Sequence, residues 1–291
     1  MTSNIGWKKI RILVTNKCNY HCPFCHNEGQ DKIDALRYMN FDDVSKLITA
    51  LHQEPLEEIN FSGGEPFLNK RVTDMIVFAN TVANCDISCA TNLSLITDEQ
   101  LAILRNTRVK FNIQFPFIDA NKFKISTGSG DLNTILSNIN KVKEAGIAIG
   151  LNMVVQSANV NDVEEVIHFA LEHEIPLKLL PQIGLAKSFN FKRMIFPILD
   201  SIAVDYKNKK TGAKRWVIAK NGHATSVLYI DSPCFYKNIE QCRNYSEIRI
   251  LPDMSLQSCI LSKTRTTIDM STDSSIINSL SQAWKNFNQC C

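Results

Sequence analysis

Residues 10–25 read Ile10-Arg11-Ile12-Leu13-Val14-Thr15-Asn16-Lys17-Cys18-Asn19-Tyr20-His21-Cys22-Pro23-Phe24-Cys25. The first five form a short, mostly branched apolar run, which predicts a strand. The three cysteines then fall on the loop that leaves its C-terminal end. The same order returns at residues 57–61, a predicted strand closed by Ser62-Gly63-Gly64-Glu65-Pro66. Between the two, residues 41–51 set Val44, Leu47, Ile48 and Leu51 on one helical face.

The alternation continues outward. Helices are expected at 72–83, from Asp98 (carrying Leu101, Ile103 and Leu104), and at 132–145, where Gly146 stops the run. Strands are expected at 87–90, at 109–115 before Pro116, at 147–155 and at 177–180. Asp162 reads as an N-cap for a helix with the stripe Val163, Val166, Ile167, Ala170 and Leu171. Six strand–helix units imply parallel strands with right-handed crossovers, hence an α/β fold with a partial (β/α)6 barrel of TIM type. Ligand sites of such barrels gather on the loops after the strands, so the cysteine loop and the Gly-Gly loop should share one face.

After Pro181 the rhythm is lost. Residues 1–181 are read as the barrel, 182–226 as a connecting region, and 227–291 as a cysteine-rich extension. The extension carries a hairpin-like pair, 247–251 and 256–260, around Pro252-Asp253, and a closing helix at 276–287.

The chain is 291 residues long and 44% hydrophobic, enough for a sizeable core, and its net charge of +3 indicates no bulk attraction to nucleic acid. Lys8, Lys9 and Arg11 interrupt the N-terminus, so it lacks the shape of a signal peptide. No apolar run is long enough to span a bilayer, and a cytoplasmic location is expected. Ten cysteines in three clusters then point to metal or catalysis before disulfides. Cys85 and Cys89, which straddle a short strand, read instead as buried thiols.

Cys18, Cys22 and Cys25 supply three thiolates within eight residues. They suit three corners of an iron–sulfur cube, and they also suit zinc with His21 or His26 as a fourth ligand. The Cys-x3-Cys-x2-Cys spacing, with Phe24 before the third cysteine, followed by Ser62-Gly63-Gly64-Glu65-Pro66, resembles the radical S-adenosylmethionine (SAM) superfamily. The resemblance implies a 4Fe–4S cluster on Cys18, Cys22 and Cys25, with one iron open to the amino and carboxylate groups of SAM. It also implies cofactor contacts from Gly63, Gly64, Glu65 and Pro66, from Phe24 near the adenine, and from Thr91, Asn92 and Asn152. No catalytic residue is singled out.

The segment from Cys234 through Cys242 to Cys259 is similar to the auxiliary-cluster segment of twitch and SPASM enzymes, the nearest being the GTP 3′,8-cyclase family. That implies a second 4Fe–4S cluster on Cys234, Cys242 and Cys259. Its fourth position is open between Cys290, Cys291, the substrate and nothing. Arg11 and Thr91 match the cyclases. Asn60 and Gly150 stand where those enzymes carry cations toward a triphosphate, and two charge-assisted bonds at roughly 1.5–3 kcal/mol each are then missing. Lys122, Lys124, Lys178, Lys187, Lys192 or Arg193 could replace them.

Three functions remain open at this point. One is hydrogen abstraction from a peptide or small natural product, ending in a crosslink, oxidation or epimerisation, with an electron donor such as flavodoxin or ferredoxin. The lack of a peptide-recognition domain before Arg11 counts against a leader peptide. The others are a nucleotide cyclase and a non-catalytic, zinc-stapled binding protein.

Overall fold

A computed structural model describes residues 6–25, 36–209, 212–245, 247–262 and 264–290. His26 and Cys291 lie outside them.

The barrel region runs β1 (Lys9–Leu13), α1 (Phe41–Leu51), β2 (Glu58–Ser62), α2 (Val72–Val82), β3 (Asp86–Thr91), α3 (Asp98–Leu104), β4 (Lys110–Gln114), α4 (Ala120–Thr127), α5 (Leu132–Glu144), β5 (Ala148–Val155), α6 (Val163–Glu172) and β6 (Leu177–Pro181). Helix starts follow local chemistry. Asn40 caps α1, Thr97 and Gln100 form a capping box on α3, and Asp131 caps α5. Asp162 does not cap α6 as expected; its carboxylate meets the Lys122 ammonium instead.

The stretch after Pro181 is not featureless. It holds α7 (Lys192–Ile202), β7 (Ala203–Asn208), β8 (Ala213–Lys220) and β9 (His223–Ile230). Then come α8 (Ile239–Arg243), β10 (Glu247–Ile250), β11 (Ser255–Gln257), β12 (Thr266–Thr267) and α9 (Asp273–Asn286). Among the described residues the strands form one sheet in the order β12-β11-β10-β1-β2-β3-β4-β5-β6-β9-β8-β7. From β10 to β9 every pairing is parallel, and both ends continue antiparallel. The sheet is open rather than a closed barrel, because β12 and β7 are its two ends.

A period of two gives the strands two unlike faces. Ile10, Ile12, Ile59, Phe61, Phe111, Ile113, Leu151, Met153, Leu177 and Leu179 are buried in one core with Val44, Leu47, Met75, Ile139 and Val166 of the helices. The opposite face carries Lys9, Arg11, Glu58, Asn60, Ser88, Lys110, Asn112, Gln114, Asn152, Lys178, Glu247 and Arg249. The lumen positions of a TIM barrel are usually filled by branched apolar residues. Here those positions are polar and charged instead.

Candidate functional site

The cysteine loop after β1 and the Gly-Gly loop after β2 are stitched together. Val14 N–H donates to the Ser62 carbonyl at 2.9 Å, Gly64 N–H to Thr15 at 2.9 Å, and Glu65 N–H to Lys17 at 2.8 Å. This approach leaves no room for side chains. A Cβ on Gly64 would overlap the Lys17 carbonyl and come 2.7 Å from the Cys18 nitrogen. Gly63 has φ +141° and would overlap the Thr15 carbonyl.

Glu65 is fully buried and clamps the loop from beneath. Its Oε1 accepts from Phe67 N–H at 3.1 Å and the Thr91 hydroxyl at 2.7 Å, and its Oε2 accepts from Asn92 N–H at 2.7 Å. Burial pushes its carboxyl up to about 7, against the three donors that pull it down. The Asn92 amide reaches across to Asn19 Oδ1 at 2.8 Å, inside the cysteine loop. Glu65, Thr91 and Asn92 therefore join three strand ends around Cys18. Pro66 opens a buried turn and Phe24 is buried beside Cys25.

Cys18 and Cys22 are half-buried and Cys25 is exposed. Burial, then the neighbouring negative charges, push the Cys18 thiol up to about 11 and Cys22 to about 12. Thiols in such a place deprotonate only beside a strong positive charge, which iron supplies, so the donor set fits a cluster. Tyr20 N–H donates to Cys18 Sγ at 3.4 Å, a further support for charge on sulfur. Among the described residues, no three His, Cys, Asp or Glu side chains are placed to hold a single metal ion.

A second station forms at the other end of the chain. Cys234, Cys242, Cys259 and Cys290 line one small cavity with Leu261 and Phe287. Cys242 and Cys259 bracket the β10–β11 hairpin, whose turn is held by Asp253 accepting from Ser255 N–H at 3.0 Å. Cys290 arrives on the far side of α9. Arg243 fixes that helix by donating to the Trp284 carbonyl at 3.1 Å and to the Phe287 carbonyl, with its guanidinium 4.9 Å over the Trp284 ring. The hydrogen bond between Cys234 and Cys242 lowers the first thiol and raises the second. Four soft donors around one cavity also fit a cluster.

The lumen was missed in sequence. Lys178 on β6 reaches across β5 to Asn112 Oδ1 on β4, at 3.1 Å, and the β5 residue paired with Asn112 is Gly150. Lys110 enters the same space, its Cε 3.3 Å and Nζ 3.6 Å from where a Gly150 Cβ would sit. The signal was available. The run Lys110-Phe111-Asn112-Ile113-Gln114 alternates polar and apolar, whereas parallel strands covered on both faces read as continuous apolar runs. Of the other compensating cations considered, Lys122 pairs with Asp162 and Lys192 with Asp231 at 3.3 Å. Cys89 is buried in the apolar core and Cys85 half-buried, as expected of packing thiols.

Comparison with known proteins agrees with this geometry. The family model "Radical SAM superfamily" matches residues 12–170. A probable GTP 3′,8-cyclase of Pyrococcus horikoshii is 26% identical over 266 residues, covering 87% of this chain and 83% of that one. The GTP 3′,8-cyclase of Clostridium perfringens is 23% identical, covering 86% and 80%. Among solved structures, SuiB of Streptococcus suis bound to S-adenosylmethionine superposes with a TM-score of 0.70 at 12% identity over 90% of this chain. The chain spans 63% of SuiB. The enzyme anSMEcpe with bound AdoMet superposes at 0.67, again at 12% identity, over 97% of this chain and 84% of that one. At such identities these likenesses speak for the fold.

Proposed function

Because this chain belongs to the radical SAM superfamily, and is therefore an enzyme, we propose that it cleaves SAM reductively and directs the 5′-deoxyadenosyl radical to a hydrogen of a small natural product or peptide in the barrel lumen. The observation that carries this reading is the stitching of the Cys18–Cys25 loop to Gly63-Gly64. The iron–sulfur cluster on Cys18, Cys22 and Cys25, when bound, supplies the electron that breaks a carbon–sulfur bond of SAM. The chain supplies placement. The N–H groups of Gly64 and Glu65 are spent on Thr15 and Lys17, so the Gly-Gly loop offers carbonyls, which suit the SAM ammonium. Thr91 and Asn92 hold the floor of that loop through Glu65, Phe24 is read as the adenine contact, and Asn152 turns an unpartnered Oδ1 into the lumen. A binding protein stapled by zinc is no longer a reading of the whole chain.

The second site is read as an auxiliary 4Fe–4S cluster on Cys234, Cys242 and Cys259, with Cys290 as the fourth ligand. Four thiolates leave no iron position for substrate. The segment from 227 onward then holds an electron carrier, consistent with crosslinking or oxidation chemistry and with a donor such as flavodoxin or ferredoxin in the cytoplasm. No helix among the described residues is long and apolar enough to cross a membrane. Cys290→Ala, made on a background lacking Cys18, Cys22 and Cys25, is expected to yield a cluster that sheds one iron on mild oxidation. Electron paramagnetic resonance would then show a three-iron signal. A spectrum indistinguishable from that with Cys290 present would remove Cys290 from the ligand set.

Nucleotide cyclisation is the second reading, favoured by relatives named GTP 3′,8-cyclase along 86–87% of this chain. Anaerobically reconstituted protein, SAM and a strong reductant separate the two. Slow 5′-deoxyadenosine formation unaffected by GTP is the expected result. A clear rise with GTP would move the enzyme to the cyclases, and no cleavage under any condition would sink the radical reading.

A further inference from the structure

We propose that the barrel lumen is an anion-binding chamber, in which Lys110 and Lys178, converging over Gly150, take a phosphate or carboxylate group of the substrate. The inference rests on the radical SAM reading and names the substrate class for that site. Lys178 comes from β6 and Lys110 from β4, and the strand between them has no side chain at the paired position. Gly150 therefore does not empty the site of charge. It makes the space that the Lys110 ammonium enters, near that of Lys178.

Charge counting supports a missing partner. The lumen face carries five cations, Lys9, Arg11, Lys110, Lys178 and Arg249, against two carboxylates, Glu58 and Glu247. Both carboxylates are already engaged. Glu247 binds Arg11 at 3.1 Å and Arg249 at 2.6 Å. Glu58 lies 3.8 Å from Lys9 and accepts from the Ser88 hydroxyl at 2.5 Å. Among the described residues, Lys178 has a neutral amide oxygen as its hydrogen-bond partner, and burial, then the nearby Lys110, lower its pKa. Holding two ammonium groups together away from water is unfavourable unless an anion joins them.

Unsatisfied polar atoms lie on the same face. Asn60 Oδ1, Gln114 Nε2 and Asn152 Oδ1 are buried without partners, and buried polar groups in folded proteins are ordinarily paired. They sit on β2, β4 and β5 and mix donors with acceptors, which suits a polar organic body attached to the anion. A purely hydrocarbon body would leave all of them unpaired.

The test uses the reconstituted full chain at constant ionic strength, with pyrophosphate and citrate as probes. Thermal unfolding is followed with each probe, and SAM cleavage is followed without either. Pyrophosphate, citrate or both are expected to raise the melting temperature by several degrees. Pyrophosphate alone would indicate a phosphoester substrate and citrate alone a carboxylate. Lys178→Met should weaken probe binding at least tenfold, Lys110→Met likewise, and Lys110→Arg should restore most of it. The unliganded melting temperature of each variant shows whether it has folded. No response of the parent protein to either probe overturns the chamber, as does an undiminished response in the Lys110→Met, Lys178→Met double variant. Cleavage of SAM by the parent under those conditions leaves the radical reading standing, whereas its absence removes both.

Discussion

Replacing Cys18, Cys22 and Cys25 together by Ala is expected to reduce 5′-deoxyadenosine formation below about one thousandth of the parent rate, about 4 kcal/mol of barrier. The effect is large because the electron that breaks the carbon–sulfur bond is supplied, on the proposed reading, by the cluster these three cysteines hold. The fold should survive. The three side chains are half-buried or exposed, and the loop is held by main-chain bonds from Gly64 to Thr15 and Glu65 to Lys17. Iron should fall from about eight to about four per chain, the remainder sitting on the C-terminal thiols. Undiminished cleavage would overturn the assignment, and complete loss of iron would show that the second site holds no cluster.

Gly64→Ala should be nearly as severe, though it removes no ligand. Its new Cβ meets the Lys17–Cys18 peptide unit, and backbone cannot rotate away as a side-chain tip can. The two loops must part. Two main-chain bonds are lost and Glu65 is left buried under a disordered turn, a cost of about 2–4 kcal/mol. SAM cleavage should fall at least a hundredfold, with iron lost from the first site and kept at the second. Gly146→Ala is the control. That residue, unlike Gly64, has a left-handed φ, +73°, but nothing lies within 4 Å of its would-be Cβ, so only about 1 kcal/mol of backbone strain is expected. Parent-level cleavage by Gly64→Ala would show that the loops need not touch.

Where local rules act alone, the sequence was readable. Apart from α4, which no apolar pattern announced, the strands and helices from β1 to β6 stand within a residue or two of their expected bounds, because each is decided by its own apolar pattern. Cys18, Cys22, Cys25, Gly63 and Gly64 were legible for a different reason, since their spacing alone restricts the chemistry. What could not be read depends on pairing across distance. β9 joins β6, and β10 joins β1, so the cysteine-rich extension is part of the same sheet. Gly150 looked like a lost cation because a strand read alone does not reveal that a lysine from the neighbouring strand enters its place. The approach of Cys290 to the cavity of Cys234, Cys242 and Cys259 likewise depends on the docking of α9 by Arg243, which is distant in sequence.

The parallel pairing of β1 with β10 sets Ile10 beside Ile248 and Arg11 beside Arg249. During synthesis β1 emerges long before its outer neighbour β10, with β2 to β9 made between the two. At about 5–20 residues per second, the delay between the two is on the order of ten to fifty seconds. Throughout that interval β1 is a sheet edge with unpaired N–H and C=O groups, the kind of edge that recruits stray strands. The loop bearing Cys18 is thus present, and open to iron, well before the strand that supports it is complete. Iron that reaches Cys18, Cys22 and Cys25 in that interval would meet a loop whose strand still has an open edge.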